Sequence, residues 1–146
     1  MKRISRVLTI SVAVLMIGGL FGLQPLYMSK AEAVAAPAKC DPNLYAACFY
    51  TEYDYKGSVY SIPKFSTVAG RNVTKVYGSL GWFDKQCASF ITNRGFEVRV
   101  YPTLNATGIP VGIAANYASS PGPIMFPHLN PPAYKTIRSI MISTLS

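Results

Sequence analysis

The sequence predicts an all-β domain that contains an internal duplication. Two observations support this fold class. Short apolar and aromatic runs of strand length alternate with turn residues, and one pattern of aromatic residues and glycine occurs twice in the chain. After residue 34 we expect almost no helix, because the apolar residues there recur at the spacing of strands. We therefore expect a small, strand-rich domain with two similar halves.

The first copy of the pattern lies in the stretch 48–62, which reads CFYTEYDYKGSVYSI. Its alternating residues predict two short strands joined across the sequence EYDYKG, which is a β-hairpin. Gly57 is the residue best able to adopt a positive φ at the corner of this hairpin. Tyr50 and Tyr55 are spaced so that one ring can fold back over that corner.

The second copy of the pattern begins at Tyr101 in the sequence YPTLNATGIPVGI. Gly108 takes the place of Gly57, and Ala106 stands where the second aromatic residue would be. Each copy is followed, at nearly the same distance, by an apolar strand that carries a serine. These serines are Ser89 in DKQCASFI and Ser139 in YKTIRSIMI, and the agreement at two anchors in each half indicates a duplicated unit.

An aromatic residue, a second aromatic residue and a glycine at these offsets resemble the signature of the βγ-crystallin Greek key. The resemblance implies two Greek key motifs, about 45–93 and 94–146, that form a single β-sandwich over residues 40–146. It also implies a role for Ser89 and Ser139, since in that family the serine ties down the folded hairpin of the neighbouring motif. Ala106 departs from the signature.

Many microbial βγ-crystallin domains bind calcium through a six-residue run: two Asn or Asp, two variable residues, Ser or Thr, and then Ser. The matching runs here are DKQCAS at 84–89 and YKTIRS at 134–139. A dication such as calcium requires several oxygen ligands, preferably anionic ones. Because most of those ligands have been replaced, we expect no calcium site and no other cofactor. The departures are Ala88 and Arg138 at the hydroxyl position and Lys85 and Lys135 at the second position, which leaves Asp84 and Ser89 as the only remnants.

Residues 1–33 are predicted to be a signal peptide. Three basic residues lie within the first six positions, an uncharged apolar run covers 7–23, and the small-residue sequence AEA at 31–33 provides a cleavage site. The alternative is a membrane anchor, since the apolar run approaches the roughly 20 residues that span a bilayer. We expect residues 34–39 to be a short leader and the mature protein to be secreted, extracellular and without membrane contact.

The chain has three cysteines, Cys40, Cys48 and Cys87. In an exported chain, Cys40 and Cys48 can close a small loop around the turn DPN, and a closure this short stabilises a domain by about 2–3 kcal/mol. We therefore expect this disulfide, with Cys87 as a buried and inert thiol. A bridge between Cys48 and Cys87 is the alternative pairing.

The inventory of ionisable residues argues against catalysis and against nucleic-acid binding. The formal net charge is +8 at pH 7, but the basic residues of the mature chain are scattered singly. The one histidine, His128, lies far in sequence from any nucleophile or carboxylate that it could pair with. Glu52 and Asp54 share one face of the first hairpin and could form a weak acidic site, but an exposed hairpin tip is the simpler interpretation. We expect no enzymatic activity, a monomer, and no nucleic-acid partner.

Asn72 and Asn105 each begin an Asn-X-Thr glycosylation acceptor sequence.

Two further segments carry structural predictions. Trp82 and Phe83 are expected to fill the core together. The stretch from Ser119 to Pro132 contains five prolines and is predicted to be a long, stiff, irregular loop.

The cysteine pair followed by an aromatic-rich strand resembles the start of secreted bacterial peptidase inhibitors of the βγ-crystallin fold. This resemblance implies an extracellular protease as partner, and the loop 119–132 is the candidate contact loop. Two alternatives remain open. One is a structural or stress-related extracellular protein without a discrete ligand, and the other is a crystallin-fold antimicrobial toxin.

Overall fold

The computed structural model describes residues 39–145, so the predicted signal peptide and residues 34–38 of the leader lie outside the described residues. The described chain consists of two four-stranded antiparallel sheets and three single 3₁₀ turns. Within this part of the chain, no helix has the length and apolarity needed to cross a membrane. The strands are β1 (Tyr45–Tyr50), β2 (Val59–Pro63), β3 (Thr74–Tyr77), β4 (Ser89–Thr92), β5 (Phe96–Tyr101), β6 (Gly112–Asn116), β7 (Ile124–Phe126) and β8 (Ser139–Thr144); the turns are Tyr53–Tyr55, Gly81–Phe83 and Leu104–Ala106.

The two halves of the chain exchange one strand each. The first sheet has the order β2-β1-β4-β7 and the second has the order β3-β8-β5-β6. The third strand of each half, β3 or β7, therefore lies in the sheet of the other half. This exchange makes two interlocked Greek keys, and neither half can complete its sheet alone. The predicted all-β, βγ-crystallin-like sandwich is confirmed.

The register of the strands shows the same duplication as the sequence. In the first sheet Tyr50 pairs with Ser89, and in the second Tyr101 pairs with Ser139. The aromatic residue that starts each pattern thus lies directly opposite the serine of the same half. Cross-strand neighbours at this distance contact each other through their side chains.

The main core lies between the two sheets and follows the predicted alternation of β5. Phe96, Val98 and Val100 are buried in it, while Glu97 and Arg99 alternate with them on the other face. Burying a side chain of this size contributes about 1.5–3 kcal/mol. The core therefore accounts for most of the attraction between the sheets.

A second cluster covers the outer face of the first sheet. The disulfide between Cys40 and Cys48 is present, as predicted, and its two cysteines are buried with Tyr50 and Ile91. The bond ties the start of the domain onto β1. The segment that begins at Cys40 thus shields this face from solvent.

The prediction that Trp82 fills the core is wrong, whereas Phe83 is completely buried. The Trp82 side chain is 64% exposed and meets the Phe83 ring edge-on, with 5.4 Å between the ring centres. Both residues lie in the 3₁₀ turn Gly81–Phe83. Successive side chains of such a turn point about 120° apart, so only one of the two can face inward.

The stretch from Ser119 to Pro132 is not a wholly irregular loop. Its apolar centre forms β7, which pairs with β4, and the rings of Phe90 and Phe126 stack with centres 4.5 Å apart. Pro123 and Pro127 flank this strand. They leave its backbone amides free to pair, which is why a proline-rich segment can still supply an edge strand.

The thiol of Cys87 should be unreactive in the folded protein. It is fully buried, and burial raises the pKa of the thiol to about 12, so thiolate is scarce at pH 8. We expect an aromatic disulfide reagent to titrate no thiol in the native protein and one per chain after denaturation. Rapid titration of the native protein would contradict the buried position of Cys87.

Candidate functional site

Each half of the domain has a folded hairpin that is held by its own serine. In the first half, the Ser89 hydroxyl donates to the Glu52 carbonyl at 2.7 Å and accepts from the Tyr55 amide at 3.2 Å. In the second half, the Ser139 hydroxyl donates to the Thr103 carbonyl at 2.6 Å and accepts from the Ala106 amide at 2.8 Å. The serine therefore serves the hairpin of its own motif, and the predicted contact with the neighbouring motif is wrong. The reason is the register, which places each serine beside its own hairpin.

The hairpin tips require these serine bonds because their backbone is unusual. Asp54, Tyr55, Asn105 and Ala106 all have φ between 51° and 61°, a region that costs a residue with a side chain about 1–2 kcal/mol. Gly57 and Gly108, predicted at the corners, have φ of 73° and 78°. A Cβ added to Gly57 would clash with the hydroxyl of Thr51.

Only the first hairpin has an aromatic cover. The ring of Tyr55 packs edge-on against Tyr50, with 5.7 Å between centres. Ala106, at the equivalent position, has no ring. The second hairpin tip is therefore held by its backbone and hydroxyl bonds and not by an aromatic pair.

Each hairpin tip touches a loop of the other half. The Asp54 amide donates to the carbonyl of Pro127 at 2.9 Å, and the Asn105 amide donates to that of Gly78 at 2.8 Å. The six-residue runs 84–89 and 134–139 also pair with each other. The Lys85 amide donates to the Ile137 carbonyl and the Lys135 amide to the Cys87 carbonyl, both at 2.9 Å. The loops thus form two equivalent sites, related by the duplication.

The first of these sites is occupied by an ion pair between the two runs. Arg138, at the hydroxyl position of its run, directs its Nε to within 3.2 Å of both carboxylate oxygens of Asp84. Both side chains are about one-third exposed. We call this the ion-pair site. The guanidinium supplies a positive charge beside the carboxylate that would otherwise help to ligate a cation.

The second site is a cleft of about 300 Å³ whose floor is Ala88. Tyr134, which takes the position of Asp84, stacks on Tyr53 with ring centres 5.3 Å apart. His128 lies 4.7 Å from the Tyr53 ring, and its Nε2 is 3.1 Å from the Asp54 carboxylate. We call this the tyrosine cleft. The cleft is lined by Thr51, Glu52, Tyr53, Asp54, Lys56, Ala88, Tyr134 and Lys135.

Calcium does not fit either site. The hydroxyl ligand is replaced by Arg138 in one and by Ala88 in the other, and Tyr134 removes a carboxylate from the cleft. Among the described residues, no group of three or more His, Cys, Asp and Glu side chains could hold a metal ion. The chemistry of these donors supports the expectation of no calcium binding, which stays a prediction.

Sequence reasoning missed the partners of Arg138 and of His128. His128 lies far in sequence from any carboxylate, yet it contacts Asp54, because the loop after β7 crosses to the hairpin of the other half. The ion pair of Arg138 with Asp84 could have been predicted by assuming that the two six-residue runs pack against each other. A positive residue in one run and the acidic Asp84 in the other were both visible.

Comparison with known proteins gives a likeness of fold only. No protein-family model matches the chain, and no curated protein matches it. A βγ-crystallin domain from Clostridium beijerinckii aligns at 19% identity with a TM-score of 0.48, over 66% of this chain and 95% of that one. A βγ-crystallin domain from Flavobacterium johnsoniae aligns at 14% identity and 0.46, over 66% and 92%. A βγ-crystallin from Ciona intestinalis aligns at 11% and 0.46, over 64% and 94%.

Removing either hairpin serine should destabilise the domain. Ser89→Ala and Ser139→Ala each leave a part-buried amide and a carbonyl without their partner, so we expect a loss of about 1–3 kcal/mol in the free energy of unfolding. Urea denaturation measures this loss, with the exposed Ser66→Ala as control. A change below about 0.3 kcal/mol in both variants would show that the serines do not hold the hairpins.

Calcium should leave the thermal stability of the domain unchanged. A ligand present at a thousandfold excess over its Kd would add about 4 kcal/mol, which is several degrees in a domain of this size. We expect a shift in Tm below one degree with millimolar calcium or magnesium, measured by scanning calorimetry. A rise of about five degrees with calcium alone that Asp84→Ala abolishes would overturn this assignment.

Proposed function

We propose that this protein is a secreted, calcium-independent binding protein of the peptidase inhibitor type. Its contact loop in this proposal is the tip of the second hairpin, residues 103–111. The observation that carries the proposal is the exposure of Ile109, whose side chain is 85% accessible to solvent on a loop with a fixed backbone. Leu104, at the start of the same tip, is 40% exposed.

The backbone of this loop is bonded at several points. The Thr107 hydroxyl donates to the carbonyl of Leu104 at 3.0 Å, and the Thr103 hydroxyl donates to the carbonyl of Thr107. On the far side of Ile109, the Val111 amide donates to the carbonyl of Val100 at 2.8 Å. Pro110 fixes one further φ angle. The loop is therefore ordered before any partner arrives.

A preordered apolar loop suits an inhibitor. Binding orders flexible segments at a cost of about 0.5–1.5 kcal/mol for each immobilised side chain, and a loop that is already fixed avoids most of this cost. The equivalent of Ile109 in the first hairpin is the polar Ser58. The apolar tip is thus a property of the second half and not a requirement of the fold.

The structure of the segment 119–132 favours the loop 103–111 as the contact loop. The apolar centre of that segment is a half-buried strand in the first sheet, so it is not free to enter a peptidase cleft.

The disulfide between Cys40 and Cys48 supports export of the protein, since such bonds persist in oxidising compartments.

Binding, and not catalysis, is the activity that the described residues favour. The single histidine contacts Asp54 and Tyr53. The one free thiol is buried, with its pKa raised to about 12 by that burial. Neither group is arranged as an activated nucleophile with its base.

The proposal predicts inhibition that depends on Leu104 and Ile109. The mature protein should inhibit at least one peptidase in a panel of secreted serine, cysteine and metallopeptidases. The double variant Leu104→Ser, Ile109→Ser should weaken that inhibition by at least about tenfold, because a few apolar contacts dominate such interfaces. Progress curves with peptide substrates measure the effect.

The matched control is Val68→Ser, which changes a side chain that is 66% exposed in another loop. It should inhibit as the wild type does, and all variants should keep the same Tm. If no peptidase in the panel is inhibited, the inhibitor proposal fails. If the double variant inhibits fully, the contact loop lies elsewhere.

A further inference from the structure

The two equivalent sites differ at the position of Arg138 and Ala88, and this difference leaves one of them open. Arg138 and Ala88 hold the same position in their runs, each just before the serine that pins a hairpin. The long side chain of Arg138 spans its site to reach Asp84. Ala88 is too short to span the other site, and the cleft of about 300 Å³ lies above it.

A guanidinium placed above Ala88 would meet the face or edge of a tyrosine pair. By the duplication, the residue opposite Ala88 is Tyr134 in place of Asp84. Tyr134 is stacked on Tyr53, and Tyr53 is 39% exposed at the rim of the cleft. Aromatic rings attract guanidinium and ammonium groups through their negative faces, most strongly where water is partly excluded.

The hairpin side of the cleft adds two carboxylates. Glu52 and Asp54 line it, and both are exposed at the tip of the first hairpin. Carboxylates hold a guanidinium through two parallel charge-assisted hydrogen bonds. The walls of the cleft thus combine the two chemical groups that proteins use to bind an arginine side chain.

Two lysines, Lys56 and Lys135, also line the cleft. Lys135 has its Nζ 5.5 Å from the centre of the Tyr134 ring, so this ring already accepts a positive charge. The equivalent lysine of the other site, Lys85, directly follows Asp84, and its amide donates to the carbonyl of Ile137, the residue before Arg138. A lysine beside the site therefore does not exclude a guanidinium.

We propose that the tyrosine cleft binds a basic side chain of a protein partner, an arginine by preference. The ligand takes the place that Arg138 takes in the ion-pair site. This site is separate from the loop 103–111, and it goes beyond inhibition by supplying a second point of contact. It does not depend on the partner being a peptidase.

The test uses N-acetyl-arginine methylamide as the probe and isothermal titration or NMR shift mapping as the readout. We expect weak binding, with Kd on the order of millimolar, and shifts centred on Tyr53 and Tyr134. The matched neutral probe is N-acetyl-citrulline methylamide, which has nearly the same shape. It should bind at least tenfold more weakly.

Ala88→Arg is the decisive variant, because its own arginine side chain would occupy the cleft in place of the ligand. It should weaken probe binding at least tenfold, whereas Ala88→Ser should bind the probe as the wild type does. Should Ala88→Arg fail to fold, Tyr53→Ala provides the second test, with the same expected loss of binding.

Three outcomes would overturn the proposal. Equal binding of both probes would show that charge is not recognised, and unchanged binding by Ala88→Arg and Tyr53→Ala would place the probe elsewhere. Binding of a neutral oligosaccharide in the cleft, with no binding of the arginine probe, would assign the site to sugars. The variant Leu104→Ser, Ile109→Ser should keep probe binding, so failure of the inhibitor proposal and failure of this one can be told apart.

Discussion

The structure depends on the reciprocal pairing of two loop segments. Lys85 and Lys135 each donate a backbone amide to a carbonyl of the opposite run, and both have positive φ, 57° and 49°. A positive φ in a residue with a side chain is unfavourable by about 1–2 kcal/mol, so these turns persist because the surrounding structure holds them. The strand exchange supplies that support. Since β3 and β7 each cross to the opposite sheet, the loops that follow them must pass beside each other.

A crossing of this kind brings polar groups from the two halves into close contact. Where oxygen ligands meet in such a crossing, a dication can bind them together. In this chain the same space is filled by side chains. Arg138 carries its positive charge permanently, so the contact it makes with Asp84 needs no ion from solution. At the other crossing, the positions of Arg138 and Asp84 are occupied by Ala88 and Tyr134. Neither residue is charged, and the site there is the tyrosine cleft.

The two halves have thus kept one set of interactions and diverged in another. Each retains the serine that pins its hairpin, with the same two hydrogen bonds and the same register. The halves differ at Tyr55 against Ala106 at the corner, Ser58 against Ile109 beyond the glycine, and Ala88 against Arg138 in the loop. Of these residues Ser58 and Ile109 are exposed, whereas Ala88 is buried. The interactions that fix the backbone of the hairpins are shared, whereas the side chains at the hairpin tips and in the two sites are not. This division is what allows one scaffold to present two different surfaces.

Sequence reasoning located the residues that repeat, but it assigned the serines to the wrong hairpin and missed the contacts that cross between halves. The glycines, the serines and the disulfide were visible because their spacing recurs or because few pairings exist. The contact of His128 with Asp54 and that of Arg138 with Asp84 join residues far apart in the chain, so no local pattern reports them. Trp82 shows a different limit. Two adjacent aromatic residues in a 3₁₀ turn cannot both face the core, and composition alone does not say which one does.

The guanidinium of Arg138 joins the two halves of the domain through its ion pair with Asp84. A double-mutant cycle of Asp84→Ala and Arg138→Ala, followed by urea denaturation, measures the strength of this link. We predict a favourable coupling free energy of about 0.5–1 kcal/mol at low ionic strength that falls as salt is raised, as for other partly exposed ion pairs. Strictly additive losses, with no coupling at any salt concentration, would contradict the account.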